Sequence, residues 1–318
     1  MHFSDIEGHR AVKELLLAGL RTGRLVPFYL LTGPEGVGKS LLGRAFGRYL
    51  LCLGDRDGHC RCRSCRLYLS GNHPDLLLVE GEGELKMDDA IAARDFLRLK
   101  PYLGGRRFLL VADAERLNPA AQNALLKTLE EPPPATVIFF TTARPEALLE
   151  TVLSRARLLR TGALEEAACR RVLERLGLKG AEAAFLAEVA LGSPGRALSF
   201  RQVAGSVREA ADRMLRALEE GLDAAGCARP VTDTLAGLET PAERRLFLRA
   251  LLSVLGSIYR RRLGPQGSEP LGSVVSCLTE AYRAVLQNVR PELVVLVLAV
   301  RLRRALSGGV SPLSGVVI

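Results

Sequence analysis

The residues Gly33, Pro34, Glu35, Gly36, Val37, Gly38, Lys39 and Ser40 carry the spacing G-x-x-x-x-G-K-[ST], which is the spacing of a phosphate-binding loop. Glycines let successive backbone N–H groups curl around phosphate oxygens, and a helix N-terminus behind them adds a favourable dipole. In such a loop Lys39 reaches the β- and γ-phosphates of a nucleotide such as ATP or ADP, and the Ser40 hydroxyl ligates Mg2+. The context fits, because the apolar run FYLLTG precedes the loop and the helical stretch LLGRAFGRYLL follows it. A second carboxylate for the magnesium belongs at the end of a neighbouring strand, and FLLVAD places Asp113 there. Hydrolysing proteins of this kind usually carry glutamate next, to orient the attacking water, but here that residue is Ala114. Glu115 follows, and in an extended strand it would point the opposite way. The spacing therefore predicts nucleotide binding with feeble hydrolysis.

A second constellation lies just beyond that helix. Cys52, Cys60, Cys62 and Cys65 crowd into a glycine-containing polar stretch, RDGHCRCRSC. Seven cysteines are an odd number for a disulfide scaffold, so four of them this close indicate metal ligation in a reducing compartment. Zinc favours four thiolates in a tetrahedron, and a closed site stabilises an insertion too small for its own core. Cys62 and Cys65 have the usual knuckle spacing, whereas Cys60 and Cys62 are unusually close. The fourth ligand is left open, with His59 or His73 able to replace a thiolate. Cys169, Cys227 and Cys277 read as small buried residues, and His2 and His9 belong to no motif.

The elements that must position these groups follow from apolar periodicity. From Pro27 to Leu159 short apolar runs alternate with helical stretches, the pattern of a parallel sheet covered by helices. The runs Asp75 to Glu80, Phe108 to Asp113 and Thr136 to Thr142 are apolar on both faces, as buried parallel strands are. After Arg160 strand-like runs stop. Two or three short helices up to a turn at Gly192 to Gly195 form a small helical segment, residues 162–205. Residues 206–318 read as roughly five helices, with breaks expected at Gly226 to Pro230, Glu239 to Pro241, Gly264 to Gly272 and Pro291. The stripe Leu293 to Leu306 is too apolar for a solvated helix.

Composition narrows the class. The 318 residues are 48% hydrophobic and 25% charged, ordinary for a folded globular chain of two or three domains. The start MHFSDIEGHR has no signal-peptide pattern, and the longest apolar run, Leu293 to Val300, is too short to cross a bilayer. A cytoplasmic location without membrane contact is the expectation. The net charge of +9 is spread along the chain, and only six of 44 cations are lysine. This basic balance permits contact with DNA without showing it.

The loop, Asp113, NALLKTLEEPP at Asn123 to Pro133 and TTARPEALLETVLSR at Thr141 to Arg155 together resemble the AAA+ subunits of bacterial DNA polymerase III clamp loaders, over most of residues 1–205. The segment NHPDLLLVE at Asn72 to Glu80 and Ala114 resemble the delta prime branch more than the gamma/tau motor branch. The resemblance implies an α/β plus all-α architecture: a RecA-like nucleotide-binding domain over 1–161 with a zinc insertion over 52–65, a helical lid over 162–205, and a helical collar over 206–318. It places Ser154, Arg155 and Ala156 where the family has Ser-Arg-Cys, so Arg155 is the arginine finger given in trans to a neighbouring subunit's ATP. Thr142 falls at the γ-phosphate sensor, and Arg196 near a second sensor. The implied partners are gamma/tau and delta-like subunits in a five-subunit assembly, the sliding clamp, and primed DNA held through its phosphates. The alternatives are an ATPase motor of the gamma/tau kind and a scaffold that binds no nucleotide.

Overall fold

A computed structural model describes residues 2–55, 60–81, 83–103, 105–263 and 269–306. The chain divides into two compact units, residues 1–172 and 173–318.

The first unit is built on a parallel sheet of β1 (Phe28–Thr32), β2 (Leu76–Val79), β3 (Arg107–Val111), β4 (Thr136–Thr142) and β5 (Arg157–Arg160). Its order is β2-β3-β4-β1-β5, so β1 lies between β4 and β5. Because side chains alternate along a strand, β1 feeds two cores. Tyr29 and Leu31 join the cluster formed with α1 (Arg10–Thr22) and α2 (Lys39–Leu51), whereas Phe28 and Leu30 join that formed with α4 (Met87–Arg98), α5 (Pro119–Glu130) and α6 (Glu150–Leu153). Burial on both sides is why these strands read as unbroken apolar runs. β5 was not marked by the sequence pattern: it is a four-residue edge strand, RLLR, that buries only Leu159. Its flanking arginines keep the edge from pairing with another chain.

α2 lies so close to the sheet that two of its positions must be glycine. A Cβ at Gly43 would come within 2.8 Å of Leu110, and one at Gly47 within 2.4 Å of the Phe108 ring. This close approach brings the start of α2, where the phosphate loop ends, over the ends of the strands. On the far side of β3, Asp75 and Arg107 are both buried: Asp75 accepts from the backbone N–H groups of Tyr102 and Leu103, and Arg107 donates to the carbonyls of Phe96 and Lys100. These bonds tie the connection after α4 to the strand that follows it.

The second unit is helical. It contains α8 (Gly180–Val189), α9 (Pro194–Phe200), α10 (Ala204–Glu219), α11 (Ala224–Ala236), α12 (Pro241–Leu263), α13 (Glu269–Leu286) and α14 (Pro291–Leu306), while α7 (Glu166–Arg175) crosses the boundary. The five helices expected after residue 206 are present, but two punctuation signals act differently from their expected sense. Gly226 to Pro230 does not break the chain; α11 runs through it, and the break falls earlier, where Asp223 caps the helix by accepting from Gly226 N at 2.7 Å. Pro194 likewise opens α9 at its first turn, with Ser193 as cap. α14 buries Val294, Val295, Leu298, Ala299 and Leu302, and leaves Leu293 and Leu296 exposed. Among the described residues no helix is long and apolar enough to cross a membrane.

The Gly47 contact yields a test of the α2–sheet packing. Alanine at an exposed helix position gains about 1 kcal/mol over glycine, whereas overpacking a tight core costs about 1–3 kcal/mol. Because Phe108 is fully buried and cannot swing away, the clash wins, and Gly47→Ala should lower the unfolding free energy in urea. An unchanged or raised midpoint would mean the helix stands farther from β3.

Candidate functional site

The phosphate loop leaves the C-terminal end of β1 and closes into α2. Gly33, Gly36 and Gly38 have φ of 153°, 75° and 98°. Gly33 has no alternative, because a Cβ there would sit 2.2 Å from Thr161 Oγ1 and 2.3 Å from its carbonyl. Thr161 is fixed in turn by donating from its N–H and hydroxyl to Thr32 O. The backbone N–H groups from Gly36 to Ser40 donate to no group among the described residues, so the loop presents a row of free donors. Lys39 is buried and folds back onto the loop, donating from Nζ to Gly33 O at 2.9 Å and Pro34 O at 2.8 Å. Burial pulls its pKa below the usual lysine value, against the opposing charges of Asp113, Glu115 and Glu35.

Asp113 lies beyond β3 with φ 51°, in the left-handed region, and its backbone N–H donates to Thr141 Oγ1 at 3.1 Å. Burial and the neighbouring Glu115 raise its pKa, and Lys39 opposes them. Ala114 is fully buried in the α4–α5 core, so position 114 offers no functional group to the loop. The expectation for Glu115 rested on an extended strand, and the chain is not extended there. The left-handed turn and a 3-10 helix over Ala114–Arg116 swing its carboxylate round, so that Oε1 accepts from Ala143 N at 3.1 Å. Oε2 is enclosed without a partner, so Glu115 braces the end of β4 and has no oxygen open to hold a water.

The hydroxyl that meets Ser40 belongs to Thr141. Thr141 Oγ1 lies 3.4 Å from Ser40 Oγ, whereas Thr142 Oγ1 accepts from Arg144 N at 3.0 Å and is fully buried. Strand alternation explains it: Thr141 shares the α2 face with Val137 and Phe139, and Thr142 the opposite face with Ile138 and Phe140. With two threonines in succession, only the facing helix decides which one reaches the loop.

Arg155 lies elsewhere. It follows α6 and borders an open cleft of about 510 Å3 with Val26, Pro27, Phe28, Glu130, Pro132 and Ser154, at the N-terminal end of β1. The guanidinium is ion-paired with Glu130 and donates to Thr151 O at 2.6 Å and Ser154 Oγ at 3.3 Å. Arg196 belongs to the second unit. Its N–H donates to Ser193 Oγ at 3.3 Å, its side chain lines a cleft with Leu252, Tyr282 and Arg283 of that same unit, and Nε is enclosed without a partner.

The four cysteines come together around the start of α3 (Arg63–Leu69). One Sγ from each of Cys52, Cys60, Cys62 and Cys65 lies within 4.8 Å of the others. A tetrahedral zinc thiolate site, with bonds of about 2.3 Å, needs sulfurs about 3.8 Å apart, so the donor set fits that ion. Burial acts to raise the Cys62 pKa, but hydrogen bonds from the Cys65 and Leu53 N–H groups and the nearby thiols pull it down to about 6. Burial and the neighbouring thiols push Cys65 upward. His73 stands outside the cluster, engaged through Nε2 with Ser64 Oγ and through Nδ1 with Asp75 N. His59 lies outside the described residues.

Comparison with known proteins covers the first unit best. A family model described as DNA polymerase III, delta subunit, matches residues 8–165. Over this stretch the chain is similar to the delta-type subunits of DNA polymerase III. The delta prime subunit of Escherichia coli (strain K12) is 38% identical over 196 residues, covering 59% of this chain and 58% of that protein. The delta prime subunit of Pseudomonas aeruginosa is 39% identical over 132 residues, 40% of each chain. The tau/gamma subunit of Haemophilus influenzae is 34% identical over 166 residues, 52% of this chain and 24% of that one. The chain thus spans between 24% and 58% of the length of these relatives.

One residue of the first unit carried no motif signal. His9 stands at the start of α1 and donates from Nε2 to Val37 O of the phosphate loop at 2.8 Å. The contact links positions 28 residues apart, so no local spacing announces it. Burial lowers its pKa below 6.5, the loop hydrogen bond opposes that, and the charges of Lys13 and Lys39 add to it. A depressed histidine pKa gives stability that is present above the unfolded value and lost as pH falls through about 6.5 toward the folded one. His9→Gln keeps a donor without the titration. Urea midpoints between pH 8 and pH 5.5 should fall less steeply for His9→Gln than for the unaltered chain, and parallel profiles would remove His9 from the pH response.

Proposed function

We propose that the chain acts as a delta prime-like subunit of a bacterial clamp loader, in the cytoplasm, with a RecA-like domain over 1–161, a lid over 162–205 and a collar over 206–318. It would assemble with gamma/tau and delta-like subunits into a five-membered arc that places a sliding clamp on primed DNA. Contacts to DNA would go to phosphates, and so weaken with salt without regard to sequence.

One observation carries this reading: the two groups able to serve a nucleotide lie at opposite ends of the same parallel strand. The phosphate loop leaves the C-terminal end of β1, and Arg155 borders its N-terminal end. Five strand residues separate them by about 16 Å, so Arg155 is out of reach of its own loop and suited to a phosphate on another chain. There a guanidinium stabilises charge developing on the transferred group. The loop residues Gly33 to Ser40 would hold ATP or ADP, with Ser40 and Asp113 as ligands to Mg2+, whose charge would screen the phosphates. Thr141 is better placed than Thr142 to sense a γ-phosphate, and Arg196, enclosed by its own unit, is the weakest of the assigned groups. Ala114 in the core and Glu115 occupied at Ala143 N favour slow hydrolysis by this chain. The gamma/tau-like motor reading draws on the complete loop and the tau/gamma relatives, and the same buried Ala114 counts against it.

Arg155→Ala should leave the chain folded, because the residue is half-exposed, and lower ATP turnover of the assembled complex about 1000-fold at the neighbouring site. Unchanged turnover in a fully assembled complex would refute the finger.

The cysteine cluster supports structural zinc, which closes four thiolates around one ion and leaves no coordination position for catalysis. Metal analysis should find about one zinc per chain, and Cys65→Ser should lower both metal content and melting temperature while ATP binding persists. A metal-free preparation of full stability would refute it.

A further inference from the structure

The cleft at the N-terminal end of β1 holds two charged side chains, and the finger reading uses only one. Glu130 closes α5, and Arg155 follows α6, so the pair joins elements 25 residues apart across the mouth of the cleft. An isolated surface pair of this exposure contributes little to stability. The arrangement around the guanidinium is more specific than a surface pair. Nη1 donates to both Thr151 O and Ser154 Oγ, and Nη2 donates to Glu130. Of the five N–H donors of an arginine, Nε–H and one Nη2–H then remain without a partner among the described residues. Two donors of one planar guanidinium can bind a phosphate in bidentate fashion.

We infer that Glu130 is the positioning residue of the arginine finger: its carboxylate, with Thr151 O, holds the Arg155 guanidinium at the cleft mouth with two donors turned to a polyphosphate on a neighbouring subunit. This rests on the finger reading. A free arginine has four flexible torsions, and the entropy lost in fixing them falls on the moment of charge transfer unless the side chain is already ordered. Glu130 orders it beforehand, as preorganisation for a group that acts only in the transition state. It also balances the cation in the unassembled subunit. Its carboxylate pairs with Arg155 at the end of β1 away from the phosphate loop, so its effect passes through Arg155.

The test uses the whole complex, with ATP turnover measured over a range of ATP concentrations. Glu130→Gln keeps the shape and removes the charge; kcat should fall about ten-fold with KM for ATP little changed. Glu130→Asp should recover part of the loss. In an Arg155→Ala background, Glu130→Gln should have no further effect, because the group it positions is gone. Assembly of each variant, followed by size-exclusion chromatography, separates these outcomes from failure to fold. If Arg155→Ala lowers turnover and Glu130→Gln does not, the positioning role is wrong and the finger stands. If neither changes turnover, the finger reading itself fails. A rise in turnover with Glu130→Gln would overturn the inference in the other direction, making Glu130 a restraint on the arginine.

Discussion

The parallel pairing of β1 between β4 and β5 is the constraint from which the site follows. In a parallel sheet every strand points the same way, so one edge collects the chain segments that leave the strands and the other those that enter them. The phosphate loop, Asp113 and the threonines of β4 leave at one edge. Val26, Pro27, Glu130 and Arg155 gather at the other. A group at one edge cannot reach the other without crossing the length of β1. The sheet itself thereby keeps the glycine loop at one end of β1 apart from the Arg155 cleft at the other.

What keeps the cradle in place is close packing more than charge. Gly43 and Gly47 let α2 settle on Leu110 and Phe108, and Gly33 lets the loop pass against Thr161. Three close approaches fix where the free N–H groups point, and His9 adds a tether from α1 to Val37 O. The acidic groups are arranged with equal economy of space. Asp113 turns through the left-handed region, which buries Ala114 in the core and carries Glu115 to the end of β4. A position that could have held a water-orienting carboxylate is instead a packing position.

The sequence alone was informative wherever the signal is local. The loop glycines, Lys39 and Ser40 must be contiguous to wrap a phosphate, and the four cysteines must be near in sequence to close a small ring, so spacing reports both. The apolar runs of β1, β3 and β4 announce burial on both faces because nothing polar interrupts them. The expected three-part division rests on the same kind of punctuation, and it was punctuation that misled most: Gly226 and Pro230 stop many helices, but α11 starts from its Asp223 cap and runs through both, with Pro230 in its interior.

Tertiary structure alone decided which neighbour each group meets. Nothing local distinguishes Thr141 from Thr142; the side of the sheet on which α2 packs does. Nothing in ADAER predicts that Glu115 returns to Ala143, because that depends on a left-handed Asp113 held by Thr141 Oγ1. His9 and Val37, like Glu130 and Arg155, are brought together by contacts between elements far apart in the chain. Sequence determines chemistry that is complete within a short segment, since spacing and backbone geometry suffice there. Pairings across the sheet await the packing of whole elements, because only the buried faces of helices and strands set the distance between groups that the chain itself leaves apart.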